Sequence, residues 1–366
     1  MISLTDKTTV QSDPKQQVTQ IWEGLLGVSP IAPDQNYFDL GGDSILAVQM
    51  FAQIEKVFQV KLPVATLFEA PTIGDLAEIL SRETPRFRGS ALVAIQTKGS
   101  RPPFFCMHGA GGNVLIYREL SEHLGEEQPF YGLQSIGLDG STPPLTRIED
   151  MAAAYVSEIR RVQPHGPYYV GGYCLGGTIA YEVAQQLKAK GEEVALVALF
   201  DTLNWHKLPP LNLWKKTRVA VERVIFHILN FLSLDGDGKS EFLKDKFQAL
   251  RNRIPVWRSM LNNKFAKSSA ETEPESSLIG KIWMLNDQAA ASYLPKSYAG
   301  AVTDFRPKRQ YSIYRRNDLK WERLALRGQT IVELPVYPAG MLVKPFVASL
   351  AAALRGKIDD AMGSLR

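Results

Sequence analysis

The stretch GGYCLGG, residues 171–177, decides how this chain is read. It follows the strand-like run PYYV and precedes apolar residues at helical spacing in TIAYEVAQQL, so a strand turns into a helix within it. Glycines at 172 and 176 stand two residues either side of Cys174 and leave room for a turn too sharp for side chains. Cys174 then occupies the apex, in front of the first N–H groups of a helix. A thiol at such a place is a candidate nucleophile, and the stretch poses the question of what takes its proton.

Outward from this turn the same alternation continues. The runs ALVAIQ (91–96), FFCMH (104–108), EVALVALFD (193–201) and TIVELPVY (330–337) read as strands, while residues 148–161 and 178–190 read as helices. That order predicts an open, mostly parallel sheet covered by helices. Residues from about 206 to 295 interrupt it with helical spacing in VAVERVIFHILNFL and FLKDKFQALRNRI, which predicts a helical insertion acting as a lid over the site rather than a membrane-touching helix. Within it, KSSAETEPESS (267–277) reads as a mobile tip and DGDG (235–238) as a turn, since the latter lacks the ligand spacing of a calcium loop.

Residues 12–82 differ from this pattern. They read as short helices, carry a charge of −5 against +9 for the remainder, and are followed by a polar linker at 83–90. The overall charge of +4 is too small to suggest a nucleic-acid partner. No apolar run reaches the roughly 18 residues of a membrane span, and the polar start MISLTDKTTVQSD has no secretory apolar region, so no membrane is implied and a cytoplasmic location is expected. Two cysteines, Cys106 and Cys174, are too few for a disulfide framework, and no metal-ligand spacing appears.

In the acidic segment, FDLGGDSILAVQMF (38–51) places two glycines before Ser44, which opens a helix with its hydroxyl expected to be exposed. A serine there is ordinarily a cap. Together with VTQIWEGLLGV (18–28) and LPVATLFEAPTIGDLAEIL (62–80), however, the segment resembles the peptidyl and acyl carrier domains of nonribosomal peptide and polyketide synthetases nearly end to end. The resemblance implies a small all-α helical bundle in which Ser44 carries 4′-phosphopantetheine, attached by a phosphopantetheinyl transferase and loaded by upstream adenylation or other synthetase domains. No such domain is encoded in this chain, and a terminal fragment of a larger synthetase is the expectation.

Residues 91–355 resemble the type I thioesterase domains that end such synthetases, an α/β-hydrolase family. GYCLG fits the family's nucleophile turn with cysteine in the usual serine position, FFCMHGAGGN (104–113) supplies a glycine-rich loop, and Asp201 stands where the family has its acid. The resemblance implies an oxyanion hole from the N–H groups of Leu175 and Ala110. It also implies a histidine after the last strand, before an ML pair opening the final helix. Pro338 stands there, and no histidine follows His227.

Three readings of that departure remain open. The domain is catalytically silent and only docks the loaded carrier; it is a hydrolytic thioesterase with a relocated base, His206 being best placed; or Cys174 needs no histidine because the helix N-terminus lowers its pKa. The third is preferred. Without a base for water, the acyl chain passed from Ser44 to Cys174 is expected to leave by condensation or cyclisation, as in small synthetases that couple two aryl α-keto acids, more than by hydrolysis. Of the other groups, His108 is expected to shape the glycine-rich loop, Cys106 to be packed, and FRPKRQYSIYRR (305–316) to be a solvated surface or a grip for a phosphate or the acidic carrier.

Overall fold

Asp13 starts the first helix, α1 (Pro14–Leu26), by accepting the Lys15 N–H at 3.1 Å, and Gly27 ends it with φ 64°. In this computed structural model the described residues are 13–82, 90–204, 206, 213–240, 242–244, 246, 247, 275–314, 321–338 and 340–364. Those before and after residue 83 belong to two separate compact units. The first continues with α2 (Ser44–Phe58), α3 (Thr66–Glu69) and α4 (Ile73–Leu80), the last capped by Thr72, which accepts the Asp75 N–H at 3.1 Å. Val18, Trp22, Met50, Ile54 and Leu76 are fully buried between the helices, and the Trp22 ring meets Tyr37 edge-on at 5.2 Å. Of three apolar residues on α2 that cannot share one narrow face, Leu46 and Phe51 are buried and Val48 is half-buried. The small unit is thus an all-α bundle. The linker residues 83–89 lie outside the described residues.

The second unit is a seven-stranded sheet in the order β1-β3-β2-β4-β5-β6-β7, built from β1 (Leu92–Gln96), β2 (Phe104–Met107), β3 (Phe130–Leu133), β4 (Tyr168–Tyr173), β5 (Val194–Phe200), β6 (Val302–Pro307) and β7 (Gln329–Leu334). All neighbours pair in parallel except β1 with β3. The central strands are almost wholly apolar because helices cover both faces. Among these helices are α5 (Arg118–Leu124), α6 (Ile148–Val162) and α7 (Leu175–Ala189). The result is a carrier bundle followed by an α/β-hydrolase-type fold, and β4 with α7 holds the GGYCLGG turn at the middle of the sheet.

Two strands, β3 and β6, do not stand out in the sequence. The second takes in the first three residues of FRPKRQYSIYRR, which are therefore strand rather than solvated surface. Phe305 is fully buried within β6, and Arg306 is bound to Asp304. Tyr311 packs edge-on against Phe226, whereas Lys308 and Arg309 between them are exposed, as a solvated surface would be.

Between β5 and β6 lie α8 (Leu213–Leu232) and α9 (Glu275–Ser292). DGDG is more than a turn, since Asp235 accepts the Gly238 N–H at 2.8 Å and starts a helix at residue 236. The tip at 267–274 lies outside the described residues, and 275–277 begin α9. Met341 and Leu342 sit in a turn, and the last helix, α10 (Val347–Ser364), opens five residues after Leu342. Among the described residues no helix is long and apolar enough to cross a membrane.

Candidate active site

Cys174 takes φ 57° and ψ −116°, a conformation L residues rarely adopt, in front of α7. Glycine is required on both sides of it. A Cβ on Gly172 would run into the backbone of Gly176, and one on Gly176 would run into the Met107 carbonyl. Tyr117, fully buried, braces the turn: its hydroxyl donates to the Met107 carbonyl at 2.6 Å and accepts the Tyr173 N–H at 3.0 Å. The sharp turn is held from the glycine-rich side by one phenol.

Asp201 lies beside Cys174 because of strand register. Tyr173 and Phe200 are paired across β4 and β5, and each candidate residue is the next one off its strand. Neighbouring strands run about 4.8 Å apart, and the Cys174 N–H donates to the Phe200 carbonyl at 2.9 Å. Asp201 also has positive φ, 43°. Burial and the Asp304 carboxylate on the adjoining β6 push its carboxyl up to about 7, against the pull of Arg306. A carboxyl poised there exchanges a proton near neutrality.

The thiol corrects one expectation. Burial, and after it the Asp201 carboxylate, push Cys174 up to about 12, with Asp287 adding to the rise. The Leu175 N–H at the head of α7 pulls the other way and loses. A helix end lowers a thiol pKa where water and positive charge help it, but this residue is half-buried and feels two carboxylates, Asp201 and Asp287. At neutral pH about one molecule in 10⁵ would hold a free thiolate.

Pro338 is buried in the segment after β7, and its ring can take no proton. The segment is tied to α8, since the fully buried Asn230 accepts the Tyr337 N–H at 2.9 Å. His206 is exposed, with Nδ1 3.2 Å from the Ala291 carbonyl at the end of α9. His108 is buried with Nδ1 2.7 Å from the Gly109 carbonyl and Nε2 2.8 Å from the Tyr155 hydroxyl, and burial lowers its pKa to about 4. It is a neutral loop brace. Cys106 is fully buried on β2, where burial raises its pKa.

Ala110 is half-buried, and its carbonyl accepts the side-chain amide of Asn286 at 2.9 Å. Asn286 is itself buried, so α9 is anchored on the glycine-rich loop. Asn286, Asp287, Asp304 and Arg306 were not legible as site residues. Each comes from a segment far along the chain, and none sits in a local motif that could have flagged it.

In the small unit, Asp43 accepts the Leu46 N–H at 2.9 Å and so caps α2. Ser44 is the first helical residue, is half-buried rather than fully exposed, and is not needed as the cap. Gly42 lies against the Tyr37 ring, where a Cβ would collide, and the Tyr37 hydroxyl donates to the Asp43 carbonyl at 3.1 Å. A serine hydroxyl spared from capping, at the positive end of a 15-residue helix, fits a phosphodiester.

A carrier bundle with such a serine and a hydrolase sheet with a nucleophile turn define an acyl-handling protein, and comparison with known proteins agrees. The thioesterase domain family matches residues 102–284 and the phosphopantetheine attachment site family matches residues 16–80. The chain belongs to the thioesterase domain family and carries a phosphopantetheine attachment domain ahead of it. It is 43% identical over 184 residues to malpinin synthetase of Mortierella alpina, covering 50% of this chain and 2% of that protein. It is 38% identical over 197 residues to a dimodular nonribosomal peptide synthase of Bacillus subtilis, covering 54% and 8%. A four-domain nonribosomal peptide synthetase bound to AMP and glycine shares its fold, with a TM-score of 0.59 and 24% identity over 97% of this chain and 27% of that one. The chain therefore spans a small part of the length of the proteins it matches.

Proposed function

We propose that this chain is the carrier and release end of a nonribosomal peptide synthetase-like enzyme, in which Cys174 is the nucleophile and Asp201 takes its proton directly. The observation that carries this reading is the pairing of Tyr173 with Phe200, which starts both side chains from adjacent strand ends. Ser44 would hold 4′-phosphopantetheine, which supplies a thiol that tethers the acyl chain as a thioester. The working partners are a phosphopantetheinyl transferase for Ser44 and upstream adenylation or other synthetase domains for the acyl chain.

Asp201 draws the proton from Cys174 as the sulfur attacks the thioester carbonyl, so a free thiolate never needs to accumulate. The Leu175 N–H, already directed at the sulfur, and an N–H from the loop at Ala110 take the developing oxyanion. A histidine would reach further and pass a proton on to water, and Pro338 leaves no such relay. Release by condensation or cyclisation, with a nucleophile more reactive than water, fits that arrangement better than hydrolysis. His206 as a relocated base is disfavoured by its exposure and its bond to Ala291.

One observation favours a second reading: a thiol pushed up to about 12 behaves as a packed, unreactive cysteine, as in a domain that only docks a loaded carrier. Intact-protein mass spectrometry after loading Ser44 with an acyl group separates the two. An adduct that moves to Cys174 supports the enzyme, and a carrier thioester that persists supports the docking domain.

A further inference from the structure

Two carboxylates compete for one guanidinium beside the nucleophile turn. Phe200 and Phe305 are paired across β5 and β6 and their rings meet edge-on at 5.4 Å, so they share one face of the sheet. Asp304 and Arg306 flank Phe305 and take the opposite face. The register carries on for one more residue: the Asp201 N–H donates to the Phe305 carbonyl at 2.9 Å, which sets Asp201 across from Arg306 at about the 4.8 Å spacing of neighbouring strands.

Arg306 is committed to Asp304, two residues back on its own strand. Its Nε lies 2.6 Å and its Nη2 2.5 Å from Asp304 Oδ2, and the Gln329 side-chain amide on β7 donates to the same oxygen at 2.7 Å. Asp304 is 1% exposed, so water does little to loosen the cluster. Arg306 acts on Asp201 only through its field. That choice of partner matters to a proton acceptor. A guanidinium in contact with a carboxylate favours the ionised form and lowers its pKa by about 1 to 3, which weakens it as a base. Burial and Asp304 push the Asp201 carboxyl up to about 7, and contact with Arg306 would undo this. Tyr173 and Cys174, which feel Asp201 from the β4 side, both hold their protons at neutral pH and offer it no cation.

We propose that Asp304 is a positioning residue for acyl transfer: with Gln329 it holds the Arg306 guanidinium back along β6, and so keeps it from pairing with Asp201 and weakening the group that takes the Cys174 proton. The proposal rests on Asp201 being that proton acceptor. Asp304 takes no proton itself. Without its charge, Arg306 turns to the one other carboxylate that the strand register puts across from it.

The test is a melting cycle at pH 8 on the full chain, together with acylation of Cys174 by an octanoyl N-acetylcysteamine thioester, read by intact mass. Asp201→Asn alone should raise the melting temperature, since it removes a buried anion that no cation contacts. In an Asp304→Asn background the same change should lower it, because Arg306 has then turned to Asp201. The rate–pH profile of acylation should have its midpoint near pH 7 in the native chain and lower by about 1 to 3 in Asp304→Asn, with a plateau reduced about tenfold. Adding Arg306→Gln to Asp304→Asn should bring midpoint and plateau back toward the native values, where a merely structural role for Asp304 predicts a second loss. If Asp201→Asn still raises the melting temperature in the Asp304→Asn background, or if Asp304→Asn has no melting transition at pH 8, Arg306 does not turn to Asp201 and the positioning role is overturned while the proton acceptor stands. Acylation as fast in Asp201→Asn as in the native chain, or no adduct on native Cys174, would overturn instead the reading on which the proposal rests.

Discussion

At neutral pH the Cys174 thiol keeps its proton unless a neighbour removes it during attack. Alkylation by iodoacetamide should therefore be slow at pH 7 and rise about tenfold per pH unit, with no plateau below pH 10. A plateau near pH 8 would show the free thiol that the helix end alone was expected to give. Asp201 makes a second prediction, with a sign that runs against intuition. Its carboxyl ionises near 3.9 in an unfolded chain but near 7 here, so folding binds a proton between those values. The stability it contributes is complete below about pH 4 and is lost as pH rises through 7. Asp201→Asn should thus melt higher than the native protein at pH 8, by an equivalent of roughly 1 to 4 kcal/mol, and alike at pH 4. The same variant should slow acylation of Cys174 by about 10² to 10⁴. A variant that melts lower at pH 8 would mean that Asp201 is a structural anion.

Elements decide which of these groups meet. The turn after β4 was readable because its chemistry is contiguous, with glycines at fixed offsets around a cysteine, and the same is true of the segment around Ser44. The strand β6 was not, since VTDFRP contains Asp and Pro, residues that strands ordinarily avoid. Only burial of the Asp304–Arg306 pair makes that composition tolerable. The contribution of α9 was hidden for a different reason: a helix can be read from spacing, but which of its faces meets a loop 176 residues earlier depends on the whole path of the chain. Two substitutions separate these levels. Gly176→Ala places a methyl against the carbonyls of Met107 and His108 and should destabilise the protein by about 2 to 3 kcal/mol with loss of Cys174 acylation, read by thermal melting and intact mass. Asn286→Ala removes the amide that satisfies Ala110 and should cost about 1 to 3 kcal/mol. An Asn286→Ala protein with native melting would show that α9 is not anchored there.

At the scale of the molecule, the proposed acyl tether and acyl acceptor lie in two separately packed units of opposite charge, −5 in residues 1–82 and +9 in the rest. Covalent linkage turns acyl transfer into a unimolecular step, with an effective concentration of about the millimolar range for a short connection. Transfer from Ser44 to Cys174 in the native chain should accordingly be first order, with a rate that does not change on dilution. A mixture of Ser44→Ala and Cys174→Ala chains contains both functional units but never on one polypeptide. At 1 μM of each its transfer rate should be about 10³-fold lower than that of the native chain, and should rise in proportion to concentration. Opposite charge between the units would add a salt dependence to the mixture, with transfer slowing as ionic strength rises, because screening weakens the attraction that speeds encounter. Rapid-quench mass spectrometry of the acyl adduct reads all of this. Transfer in the mixture as fast as in the native chain would mean that the acyl group moves between chains in the ordinary reaction, and that the carrier serves a thioesterase on another polypeptide. Transfer in neither would leave Cys174 a silent thiol.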